Sequence, residues 1–112
     1  MIHTLLLRAA TLAAPMLLLC AATAQAQQPT PSQALHMRGL AATCANCHGT
    51  DGRAVPGQPM VSLAGLPEAY FIEQMKAFRD GKRPATVMHQ IAKGYSDEQI
   101  AALAAYFAAQ PK

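Results

Sequence analysis

The stretch Cys44-Ala45-Asn46-Cys47-His48 constrains this chain more than any other feature. Only one further cysteine exists, Cys20, and it lies in an apolar leader. Three Phe, three Tyr and no Trp make a thin apolar inventory for a chain of 112 residues. Small domains bury too little surface to stand on a core alone and commonly lean on a metal, a disulfide or a cofactor. The two thiols must serve one of these.

The leader settles the compartment in which they would do so. Residues 1–26 read as a secretory signal, with Arg8 near the start, an apolar run over 9–24 and the cleavage pattern Ala24-Gln25-Ala26. That run has 16 residues and carries Pro15, whereas a bilayer span needs about 20. Cleavage is therefore favoured over an anchor, leaving no stable membrane span. Leu19 precedes Cys20 where a lipidation signal would want a small residue, so Cys20 is expected to leave with the leader. An exported, periplasmic chain with just Cys44 and Cys47 follows. Without Arg8 the balance is eight Lys and Arg against six Asp and Glu. This is too mild for nucleic acid, and no basic stripe interleaved with aromatics supports that partner.

After a flexible lead-in over 27–31, the domain is expected to occupy 32–112. Ser32 is the expected N-cap of a first helix that runs to the cysteine motif, with Leu35, Leu40 and Cys44 at helical spacing. Residues 48–67 are rich in glycine and proline and predict a long loop, and such loops tend to be functional. Pro67 and Glu68 open a helix whose apolar face is Tyr70, Phe71, Met75 and Phe78, and Gly81 and Pro84 stop it. Residues 86–94 predict a turn or two of helix. Ser96 and Gln99 form a capping box for a last helix with Ile100, Leu103, Ala104 and Phe107 on one face. No alternating strand pattern occurs. The fold class is all-α, with three to four short helices.

Four chemistries compete for the thiols. A structural zinc site wants a second pair of ligands at a defined spacing, and none is present. A thioredoxin-type dithiol wants a strand before it in a βαβ setting. A disulfide here would close too small a loop to stabilise much. Covalent haem attachment is the fourth, and C-x-x-C-H is its signature. Cys44 and Cys47 would add to the two vinyl groups, and His48 would ligate the iron from the proximal side. Export, a thin core and the glycine-rich loop all agree with one haem c.

The sixth iron position decides what such a site does. A thioether there saturates the iron for electron transfer and raises its potential, while an open position admits gases or oxygen. Met88 lies forty residues past His48 in a separate segment, enough chain to round the haem and approach from the opposite face. Its nearest rivals are Met60 and His89. Met75 reads as core, and Met37 shares the attachment helix. His36 reads as a solvated helix residue. Arg53 or Tyr95 could hydrogen-bond a propionate, a loop carbonyl near Pro56 could orient His48, and Lys76, Arg79, Lys82 and Arg83 form a basic cluster that reads first as a solvated face and second as a docking patch.

Over essentially its whole mature length the chain resembles the class I cytochrome c family, through Cys44, Cys47 and His48, a later Met88 and a final helix ending "LAAYF". The resemblance implies a small class I fold wrapped around one haem, with first and last helices crossing where Leu40 nears Tyr106 and Phe107. More narrowly, "CANCHGTDG", "MVSLAGL" and "MKAFRDGKRPATVMHQIAKGYSDEQ" resemble the cytochrome subunit of flavocytochrome c sulfide dehydrogenase. That likeness implies Met88 as axial ligand and a sulfide-oxidising flavoprotein as redox partner, in a carrier rather than an enzyme. A free-standing shuttle to a terminal oxidase or reductase would have the same haem and a different partner. A sensor or peroxidase would have an open sixth position, and a thiol–disulfide oxidoreductase would have no haem.

Overall fold

The computed structural model describes residues 28–112, so the expected leader and its cleavage site lie outside the described residues. Four α-helices follow in order: α1 (Pro31–His48), α2 (Glu68–Arg79), α3 (Met88–Ile91) and α4 (Asp97–Ala108). Short 3-10 turns at Thr50–Gly52 and Ala92–Gly94 follow α1 and α3. Among the described residues there is no strand. This is a small class I cytochrome c fold.

The first helix starts two residues earlier than its sequence suggests. Thr30, not Ser32, is the N-cap: its hydroxyl accepts from Gln33 N–H, and Gln33 Oε1 accepts from Thr30 N–H at 2.8 Å. Pro31 explains the shift, because its ring pre-sets the first helical φ and it has no amide hydrogen to leave unpaired. The expected lead-in therefore gives up Thr30 and Pro31 to the helix. Along α1, Met37, Leu40 and Cys44 pack against the core and Ala41 is buried in it. The same stripe, continued by four residues, carries His48.

The last helix supplies more of the core than any other element. Ile100, Leu103, Ala104 and Phe107 are buried, and the Ser96–Gln99 capping box is present in both directions. Phe107 meets Phe71 of α2 at a ring-centroid distance of 5.7 Å and Tyr106 edge-on at 5.3 Å. α1 also packs on α4, with Leu40 and Tyr106 against the same cluster. Truncating Phe107 to Ala removes the centre of that cluster, at a cost of about 3–5 kcal/mol.

The loop from Gly49 to Pro67 has almost no regular structure, yet it is fastened at both ends. Gly52 C=O accepts from Leu63 N–H at 2.7 Å, Ala64 N–H at 3.1 Å and the Ser62 hydroxyl at 2.9 Å. Gly65 N–H donates to Phe107 C=O at 2.8 Å, and Tyr106 O–H donates to Asp51 at 2.7 Å. Gly52 has to be glycine. Its φ is +77°, and a Cβ there would sit 2.8 Å from Phe107 Cδ1 and 2.9 Å from Leu63 Cβ. The loop is thereby laid against α4 and passes close to His48.

Candidate haem site

The attachment motif ends α1, so helical spacing sets its geometry. Cys44 and Cys47 are one turn apart, and His48 lies one turn beyond Cys44. Cys44 is partly buried and Cys47 exposed. Burial pushes the Cys44 thiol above its ordinary pKa, outweighing the downward pull of the Thr43 and Tyr95 hydroxyls beside it. Dithiol oxidoreductases need the reverse, a thiolate made available by a lowered pKa.

His48 is held by the loop. Its Nδ1 lies 2.7 Å from Val61 C=O, five residues beyond the expected neighbourhood of Pro56. A carbonyl can only accept, so Nδ1 carries the proton and Nε2 keeps its lone pair for a metal. Such an outer contact fixes the ring and makes the ligating nitrogen more basic.

Both thiols and His48 open onto one cleft of about 320 Å³, within the roughly 300–1,000 Å³ typical of cofactor pockets. Its walls come from α1, the 49–67 loop, α2, and the segment from Arg83 through α3 to Tyr95. Seven large hydrophobic side chains are notably exposed among the described residues, and five of them line this cleft: Met60, Val61, Tyr70, Val87 and Ile91. Scattered exposed apolar residues are ordinary, but a contiguous concave patch marks a binding site. A flat apolar macrocycle with two reactive vinyl edges and an iron matches this lining, two thiols and an imidazole included. The residues fit a haem.

Met88, the first residue of α3, lines the cleft from a different element than His48 does. Met60 also lines it, as does the buried Met75. His89 does not: its Nδ1 is buried elsewhere without a hydrogen-bond partner. Met37 packs in the core and His36 is exposed. Leu63, Phe71 and Tyr95 line the cleft, and the Tyr95 hydroxyl is 2.7 Å from Thr43 Oγ1.

Two of the alternatives for the basic residues find no support in the geometry. Arg53 is not at the cleft, because its Nε donates to Pro111 C=O at 3.1 Å and its head lies near Asp51. The basic cluster lies largely in solvent with most of its charge matched, which leaves little net positive surface for a docking patch. Arg79 and Lys76 pair with Asp97 at 2.7 and 3.2 Å, and Lys82 faces Asp80 at 3.7 Å. Arg83 turns instead into the cleft wall, with Gln74 as hydrogen-bond partner and Phe78 beneath its guanidinium at 4.6 Å. Sequence reasoning passed over Arg83 as a site residue. Its one available signal was position, just ahead of Pro84 at the start of the segment that leads to Met88.

Residues 36–107 match the family described as cytochrome C oxidase, cbb3-type, subunit III. The chain is similar to the cytochrome subunit of sulfide dehydrogenase from Chlorobaculum tepidum, with 39% identity over 101 residues, 85% of this chain and 90% of that one. Cytochrome c-554(548) of Halomonas halodenitrificans is 44% identical over 72 residues, 61% of this chain and 84% of its own length. A thiosulfate dehydrogenase electron acceptor from Thiomonas intermedia is 45% identical over 67 residues, 60% of this chain. This chain spans 31% of that acceptor's length. The apolar cleft, the thiols and imidazole that open onto it, and the family match agree: the chain belongs to the cbb3-type subunit III family of c-type cytochrome domains, and is an electron-transfer cytochrome whose cofactor is one covalently bound haem c.

Proposed function

We propose that this is a periplasmic electron carrier in which Cys44 and Cys47 would form the haem thioethers, His48 and Met88 would ligate its iron, and electrons come from a sulfide-oxidising flavoprotein subunit. One observation supports the ligand assignment: Met88 lines the cleft that His48 opens onto from a separate element, whereas Met60, which also lines it, adjoins the Val61 carbonyl that holds His48, Met75 is buried in the core, and His89 does not line it. Bound haem supplies a one-electron iron couple. The chain's own residues set how that couple behaves. Val61 C=O holds the His48 ring in one orientation. The soft thioether of Met88 favours the reduced metal, and an apolar wall keeps water out of the site. Fully buried Ala92 anchors the turn after α3, and so fixes where Met88 stands.

The partner rests on length and likeness together. The sulfide dehydrogenase cytochrome subunit is matched over 90% of its length, so the two proteins correspond almost end to end. The relatives bear the names of cytochromes or electron acceptors, in keeping with a carrier rather than an enzyme. A second reading, a free-standing shuttle, is favoured by the match over 84% of cytochrome c-554(548). Affinity purification from a native host separates them. Retention of a flavin-bearing chain that reduces the haem on addition of sulfide supports the complex, and a lone cytochrome that sulfide leaves oxidised supports the shuttle.

A further inference from the structure

Glycines aside, Asp51 is the one residue among those described that sits in the left-handed region, at φ +54° and ψ 26°. It falls just after His48, in a turn where Gly49 and Gly52 also have positive φ, +81° and +77°. Aspartate tolerates that region better than most residues, but glycine would occupy it without steric cost. What the aspartate adds is a contact across the fold. Its Oδ1 accepts from the Tyr106 O–H at 2.7 Å, over fifty-five residues of chain. Tyr106 is well placed to donate. Its ring stands edge-on to the buried Phe107 at 5.3 Å. The hydrogen bond to Asp51 pushes the Tyr106 pKa up, so the hydroxyl keeps its proton at neutral pH.

The 62–64 segment of the loop is fastened to this same turn. Gly52 C=O accepts from Leu63 N–H, Ala64 N–H and the Ser62 hydroxyl. Val61, the residue before Ser62, offers its C=O to His48 Nδ1 at 2.7 Å. Contacts therefore run without a gap from α4 through Tyr106, Asp51 and Gly52 to Val61 and His48. The contact on the outer nitrogen of a ligating imidazole fixes the ring and makes the inner nitrogen more basic. Its strength depends on where the carbonyl stands. We infer that Tyr106 and Asp51 are positioning residues for the proximal ligand: their hydrogen bond pins the turn after His48 to α4 and so sets the Val61 carbonyl against His48 Nδ1–H. A looser contact would make the imidazole a weaker donor and favour reduced iron. This inference rests on His48 as the iron ligand and not on the identity of the partner.

Proton NMR of the ferrous holoprotein reads the His48 Nδ1 proton directly, and redox titration of the same samples reads the iron. Tyr106→Phe keeps the ring, and Asp51→Gly frees the backbone. Each should speed exchange of that proton with solvent by about three- to tenfold, the net worth of one hydrogen bond, and move the equilibrium toward reduced iron. The double variant should show no more than the larger single effect, because both changes remove the same bond. Asp51→Asn keeps an acceptor and the tolerance of positive φ, and should stay within about twofold of wild type. Asp97→Asn loosens the α2–α4 contact at the far end of α4 and should leave the exchange unmoved. Wild-type exchange in Asp51→Gly would mean that only the backbone shape of the turn matters, and would overturn the inference. So would no effect of Tyr106→Phe, additive effects in the double variant, or an equal effect of Asp97→Asn. If the wild-type His48 protons lack the ring-current shift of a bound porphyrin, the ligand reading fails and the inference with it. Shifted protons that the Tyr106 and Asp51 variants leave alone would sink the inference and spare the ligand reading.

Discussion

The Tyr95 hydroxyl lies 2.7 Å from Thr43 Oγ1, and Thr43 immediately precedes Cys44. Thr43 in turn donates to Leu40 C=O at 2.7 Å, so its hydroxyl proton is committed and the Tyr95 O–H is the donor between the two. Fifty-two residues of chain separate the pair. The bond ties the end of α1, which bears the thiols and His48, to the segment that follows α3 and Met88. It spans the two walls of the haem cleft.

Tyr95→Phe deletes that bond and nothing else of size. It should destabilise the folded holoprotein by about 0.5–1.5 kcal/mol, the net worth of a typical hydrogen bond. Urea unfolding followed by helical circular dichroism gives the number, and Thr43→Val, which also removes the bond to Leu40 C=O, should cost at least as much. If Tyr95→Phe made no difference, the two walls would be joined only by the haem and the core.

Met88→Ala should lower the reduction potential and let the ferrous iron bind carbon monoxide at neutral pH, since a vacated thioether position opens the metal. Met60→Ala and His89→Ala should leave both properties near wild type. Absorbance spectra with and without carbon monoxide check all three. A wild-type spectrum that already responds to the gas would mean the sixth position is open.

Gly52→Ala should cost about 2–4 kcal/mol, from a positive φ and a methyl driven against Phe107 and Leu63 together. The readout is the urea midpoint of the holoprotein. Gly57→Ala is the comparison, since its φ is also positive but nothing lies within 4 Å of the added methyl.

Asp97 joins the first turn of α4 to α2. Hydrogen bonds from Arg79 and Lys76 hold its carboxyl below the ordinary carboxylate pKa. A depressed folded pKa means a contribution that is complete above the unfolded value, about 3.9, and lost as pH falls through the lower folded one. Asp97→Asn should therefore destabilise the protein at pH 7, while variant and wild type converge in strong acid. Thermal midpoints across that pH range test the sign.

Much of this was legible in residue order, and the exceptions have physical causes. Helix α4 was readable because its cap, its apolar stripe and its burial all agree: Ser96 and Gln99 cap it, and Ile100, Leu103, Ala104 and Phe107 are buried. The attachment motif was readable because its spacing follows from covalent chemistry. The start of α1 was not, because Thr30 and Ser32 are both competent caps and only Pro31 between them decides. Val61 as the partner of His48 could not be found by pattern, since any carbonyl of an irregular loop is chemically the same as any other. Arg53 and Arg83 could not be told apart for a similar reason. Both lie in loop segments, and only the packing shows that Pro111 takes one and the cleft wall takes the other.

The intact mass and absorbance spectrum of the protein, exported from a host that matures c-type haems, test the central claim most directly. The expected result is a mass equal to the processed polypeptide plus one haem, with a ferrous spectrum that carbon monoxide leaves unchanged. A colourless protein with the mass of bare polypeptide would contradict it.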